Sequence, residues 1–230
     1  MRTDMMLEVA LRARVPVESG LSGSVLMYDL IARCERNEEL FLDVVDATLS
    51  LVPEKTSTLA RIFLDAGSVW TVSREGDSLT RRVDSTAQEQ IEALASPQDE
   101  SSAELAEAWE CAYGRAPNPS DVWDHSIKAI EAALWPIVLP QNRKATLGTI
   151  EKALQAKPSK WTFGLESNSI GGVETLHALL KLVWPNPDRH GTGESRTPSQ
   201  DEAEAVLHTA ITIVQWVRGG LLRPADIGPE

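Results

Sequence analysis

PSQDEAEAVLHTAITIVQWVRGG, residues 198–220, reads as a complete helix with both ends marked. Ser199 can accept from the free amide of Glu202 while the Glu202 side chain reaches back to Ser199, the reciprocal arrangement of a capping box. Ala203, Val206, Leu207, Ala210, Ile213, Val214 and Val217 then recur at helical spacing and form one apolar stripe. Gly219-Gly220 ends it, because glycine accepts the left-handed conformation that commonly closes a helix. A stripe of this kind needs other helices to cover it, so the sequence predicts a helical bundle.

Upstream, apolar spacing predicts helices over about 171–184 and 144–156. Another runs over 120–135, with Ile127, Ile130, Ala133 and Leu134 facing inward. Asn118-Pro119 starts it, since an Asn side chain caps free amides and proline fits the first turn; Pro136 and Pro140 are expected to stop it. A helix over 102–113 carries Leu105, Ala108, Trp109 and Ala112 on one face. SPQDESS, residues 96–102, is polar, turn-rich and without apolar period, so it reads as a linker.

Before that linker, helices are expected over 20–35 and 38–52, and a third from about Glu54 to Gly67, which suits a left-handed C-terminal cap. Then the period changes. Trp70 and Val72 alternate with polar residues, Glu75-Gly76-Asp77 turns the chain, and Leu79, Arg81 and Val83 resume the alternation, which predicts a β-hairpin over about 69–84. A lone hairpin is marginal, so Trp70 is expected to pack it on helices. The expected fold is therefore mainly α, a helical bundle with one small β-hairpin, divided into an N-terminal unit at 1–95 and a helical domain at 102–222.

Composition narrows the functional classes. A hydrophobic share of 42% over 230 residues suffices for a real core. The formal charge of -12 repels nucleic acid and anionic membranes on average, so any nucleic-acid contact needs a local basic patch. No apolar run approaches the roughly 20 residues of a membrane helix, and no signal-peptide pattern is present, which makes a cytoplasmic location the expectation. Cys34 and Cys111 are solitary, giving neither a disulfide framework nor a zinc spacing, and both are expected to be buried thiols.

Chemistry concentrates in Trp184-Pro185-Asn186-Pro187-Asp188-Arg189-His190-Gly191. Histidine moves protons near neutral pH and arginine is a fixed cation for a phosphate or developing oxyanion, a pair suited to metal-free phosphodiester cleavage. The same residues also suit a solvated loop that ties two helices through an ion pair. Glu204 and His208, four apart, and Asp121, Asp124 and His125 at a helix start have ligand-like chemistry. No third ligand accompanies Glu204 and His208, so a helix-surface pair is the better reading of them, and acids at a helix start are favoured by the dipole, so Asp121, Asp124 and His125 are expected to be structural. The basic clusters are Arg74, Arg81 and Arg82, and Arg143, Lys144, Lys152, Lys157 and Lys160. They suit a nucleic acid, an acidic partner or a solvated face.

A resemblance adds to this reading. His190-Gly191 precedes the Ser199-capped helix with Glu202-Ala203 and His208-Thr209-Ala210. Upstream stand Ala112-Tyr113-Gly114-Arg115, Lys128-Ala129-Ile130-Glu131-Ala132 and Ala145-Thr146-Leu147-Gly148. Over about 102–222 this layout resembles the C-terminal domain of abortive-infection proteins, which is similar to the HEPN superfamily. The resemblance implies a helical bundle, often a homodimer, in an antiviral defence or toxin-like protein.

Catalytic members carry an Arg, a polar residue soon after it and a His further on, and cut RNA without metal or cofactor. His190 matches that His and Asn186 stands for the polar residue. Val183, Trp184 and Pro185 occupy the usual place of the Arg, so Arg189 would supply the charge from an altered position. Asp188, Lys181 and Arg196 are the flanking charges expected to contribute to binding. RNA is then the expected partner, and the alternative is a non-catalytic module that binds a protein or oligomerises.

Overall fold

The computed structural model describes residues 3–18, 20–52, 56–95, 98–165, 171–188 and 196–225. Among them the chain is mainly helical, with two small two-stranded antiparallel sheets. It divides into two compact units, one of residues 1–82 with 113–116 and one of residues 83–112 with 117–230.

The first unit begins with α1 (Thr3–Arg12), which the sequence reading did not anticipate, followed by α2 (Gly23–Cys34), α3 (Glu38–Leu51) and α4 (Thr56–Asp65). Met6, Ala10, Ala13, Val15, Leu26 and Leu30 form one buried cluster. Asn37 caps α3 by accepting from the Leu40 amide at 3.1 Å. Gly67 closes the end of α4 at φ +66°, the left-handed conformation expected of it.

The hairpin is present as β1 (Trp70–Val72) and β2 (Leu79–Arg81), with Trp70 opposite Arg81 and Val72 opposite Leu79. Trp70 is half-buried, and the hairpin's deepest anchor is Leu79, which is fully buried among Leu42, Leu49 and Phe63. The Leu79 amide donates to Asp46 Oδ1 at 2.6 Å, which ties β2 to α3. Arg115, within the same unit, pairs with Glu39 and Asp43 and lies 5.0 Å over the Trp70 ring. Hydrophobic burial and an engaged cation together hold this otherwise marginal hairpin.

The second unit contains α5 (Ser85–Ala95), α6 (Glu100–Tyr113), α7 (Pro119–Val138), α8 (Leu147–Ala156), a 3₁₀ turn at Pro158–Lys160, β3 (Trp161–Phe163), α9 (Gly172–Val183), α10 (Gln200–Arg218) and β4 (Leu222–Pro224). Every residue of the expected α10 stripe is buried, and Ile211 joins it. The stripe packs chiefly on α7, whose Val122, Ile127, Ala129, Ile130 and Leu134 are also buried. Full burial of each large aliphatic side chain contributes about 1.5–3 kcal/mol, so this pair of helices is the main source of stability in the unit.

Three local expectations change. The helix α7 continues through Pro136 to Val138: the proline lacks the amide that would bond the Ala132 carbonyl, yet the helix runs on and the Leu139 amide closes it on the Trp135 carbonyl. The stretch read as a linker is pinned over its described residues. Asp99 accepts from the Ser102 amide at 2.8 Å, Ser102 Oγ donates to the Leu94 carbonyl, and Arg218 holds Asp99. Short polar residues mark helix starts as well as linkers. Third, β3 and β4 pair far apart in sequence, Trp161 opposite Pro224 and Phe163 opposite Leu222, a short sheet with no period to announce it. Among the described residues no helix is long and apolar enough to cross a membrane.

Candidate functional site

The segment singled out for chemistry connects α9 to α10, and its two ends are built differently. On the α9 side, Trp123 of α7 donates its indole N–H to the Val183 carbonyl at 2.8 Å, satisfying one of the open carbonyls at the helix end. Trp184 lies against the first turn of α8, where an ideal Cβ on Gly148 would stand only 2.8 Å from its Nε1. Glycine is required there for the indole to approach. A cis Trp184–Pro185 bond then turns the chain.

Asn186 is 2% exposed. Its Oδ1 accepts from the Asp188 amide at 3.2 Å, the local turn that Asn favours, while Nδ2 has no partner among the described residues. Asp188 is half-buried. Lys181 is exposed on the last turn of α9, where a cation is favoured by the helix dipole.

On the α10 side, the capping box is complete: Ser199 accepts from the Glu202 amide and Glu202 accepts from the Ser199 amide at 2.9 Å. Arg196 adds two parallel bonds to Glu202, each 2.7 Å, and those bonds with the Ser199 amide pull the Glu202 carboxyl down to about 2. The Arg196 amide also points to the Pro187 carbonyl at 3.4 Å, so the two ends of the connection meet. Arg196 is thus committed to the cap, with its guanidinium still exposed.

Of the residues predicted to act, Asn186, Asp188, Lys181 and Arg196 are described, whereas Arg189 and His190 lie outside the described residues. Asn186, Asp188 and Arg196 are gathered by the turn and the closing backbone contact.

The three described histidines have positions that the sequence did not foretell. His125 pairs with Glu104 at 2.6 Å, joining α7 to α6, and His177 pairs with Glu151 at 2.5 Å, joining α9 to α8. His208 stands edge-on to Trp109, 6.3 Å between ring centres. Each is part of helix packing, and no sequence period links partners so far apart. Glu131, raised by burial, accepts from the Leu147 amide at 2.5 Å and so starts α8.

Asp121 accepts from the Asn118 side chain and Asp124 pairs with Lys128, which are structural roles for acids at a helix start. Glu204 accepts from Gln200 at 2.9 Å. Among the described residues no group of three His, Cys, Asp or Glu is arranged to hold a metal ion. Cys34 and Cys111 are half-buried, and burial pushes both thiols above the ordinary value, away from the thiolate that nucleophilic chemistry needs. The chain matches no known protein family, and no curated protein or solved structure is detectably similar to it.

Proposed function

We propose that the chain is a defence protein of the abortive-infection, toxin-like type, in which the second unit is a HEPN-like bundle that cuts RNA without metal from the connection between α9 and α10. In this reading His190 moves the proton of the attacking hydroxyl, Arg189 neutralises the phosphate, and Asn186 and Asp188 shape the turn that precedes them in the chain. A homodimer would bring two such connections together. The observation that carries the reading is the tethering of both ends: the Trp123 bond, the buried Asn186 and the Arg196–Glu202 cap fix residues 186–188 and 196–202 on helix termini.

The test is RNA cleavage by the purified chain in the presence of a chelator. Cleavage is expected, and His190→Ala should abolish it with an unchanged circular dichroism spectrum. Equal cutting by that variant would remove His190 from the mechanism.

A second reading, a non-catalytic module that binds a protein or oligomerises, is favoured by the surface of the first unit. Leu11, Tyr28, Leu64 and Val69 are each at least 60% exposed there, large apolar side chains that a protein partner would cover. Sedimentation of the intact chain tests it: a monomer that captures no protein and cuts RNA refutes this reading.

A further inference from the structure

We propose that the outer face of the β3–β4 sheet and the turn leading into it form a binding track for the phosphate backbone of single-stranded RNA; this rests on the reading that the chain acts on RNA. Between Leu139 and Leu165 the chain has five cations, Arg143, Lys144, Lys152, Lys157 and Lys160, against one carboxylate, Glu151. That carboxylate is turned inward to His177, so it does not offset the cations outside. In a chain of net charge -12 this is a sharp local reversal of sign.

The fold adds a further cation from a distant part of the sequence. Pairing of β3 with β4 sets Arg223 opposite Thr162, and the Ala225 amide donates to the Lys160 carbonyl at 2.8 Å. Phe163 and Leu222 occupy the buried side of this ladder, while Lys160 and Arg223 are exposed. Ladder spacing separates Lys160 from Arg223 by about 8 Å, and the 3₁₀ turn puts exposed Lys157 roughly 6 Å further along. Lys152 is exposed on α8, on the side away from buried Leu147, Ile150 and Leu154. Among the described residues none of Lys152, Lys157, Lys160 and Arg223 makes an ion pair.

Unpaired cations in a row, rather than a forked pair, suit a flexible chain of repeating charges more than one carboxylate. Trp161 falls on the Phe163 side of the ladder with its indole nitrogen buried, and Arg143, at the start of the basic stretch, lies 5.8 Å over the Trp135 ring.

The experiment is fluorescence anisotropy of a labelled single-stranded RNA with the full-length chain across a salt series, in chelator and with the His190→Ala background to prevent cutting. Each phosphate contact contributes about 0.7 to the logarithmic salt slope, so three contacts weaken binding about 20-fold between 50 and 200 mM salt. Lys157→Gln/Lys160→Gln/Arg223→Gln should flatten that dependence and lower affinity at least 10-fold at low salt, with unchanged melting temperature. Arg61→Gln, at an exposed cation of α4, should leave binding as it was. Unaltered affinity and slope in the triple variant would overturn the proposal. So would an absence of RNA binding accompanied by salt-sensitive self-association that the triple variant loses, which would assign the face to a second copy. Binding that depends on this face while His190→Ala leaves cutting intact keeps the track and discards the catalytic reading.

Discussion

Two adjacent glycines at the start of α9 should respond unequally to the same substitution. An ideal Cβ on Gly172 would lie 2.4 Å from the Leu165 carbonyl oxygen, 2.8 Å from Phe163 Cδ1 and 2.9 Å from Phe163 Cβ. Ordinary contact begins near 3.4 Å, so Gly172→Ala requires a backbone retreat of about 1 Å at the point where α9 meets β3. Overpacking of that kind costs about 1–3 kcal/mol, offset by about 0.4–1 kcal/mol from the less flexible unfolded chain. The net loss of about 1–2 kcal/mol corresponds to a melting temperature lowered by about 2–8 °C in a chain of this size.

Gly171 is the control. Its backbone, at φ −65° and ψ 140°, suits alanine, and the added Cβ would meet only the flexible Glu174 side chain at 3.4 Å. The weaker cap and the stiffer unfolded chain nearly cancel, so Gly171→Ala should stay within about 2 °C of the parent. Thermal unfolding followed by circular dichroism reads both. A Gly172→Ala protein as stable as the parent, or an equal loss in both variants, would refute the close approach of α9 to β3.

Two further outcomes follow from the tethered ends. Trp123→Phe removes the donor to the Val183 carbonyl and leaves that buried acceptor unpaired, which should cost about 1–3 kcal/mol in denaturant unfolding; a midpoint equal to the parent's would show that the bond does not hold the end of α9. Glu202 has an ordinary carboxyl value of 4.5 and a folded value of about 2, so its contribution is present above pH 4.5 and is lost as pH falls toward 2. Glu202→Gln should therefore lower stability at pH 6 and change it least near pH 2. A stability difference between parent and variant that is constant across this range would contradict the Arg196–Glu202 cap.

Sequence alone determined the elements whose causes are local. The capping box at Ser199, the Asn118 start of α7, the Gly67 cap and the α10 stripe each depend on residues within a few positions of one another, so propensity, hydrogen bonding and period suffice to read them. The candidate connection was legible for the same reason, as a gathering of Pro, Asn, Asp, Arg and His between two periodic segments.

Tertiary structure decided what depends on partners remote in the chain. It fixed the inward turn of Asn186, the commitment of Arg196 to Glu202, the pairing of His125 and His177 with carboxylates on other helices, and the β3–β4 ladder that adds Arg223 to the lysines. A side chain's period reveals which face of its own helix it occupies, whereas its partner is chosen by how separate elements pack, a relation that no local spacing encodes.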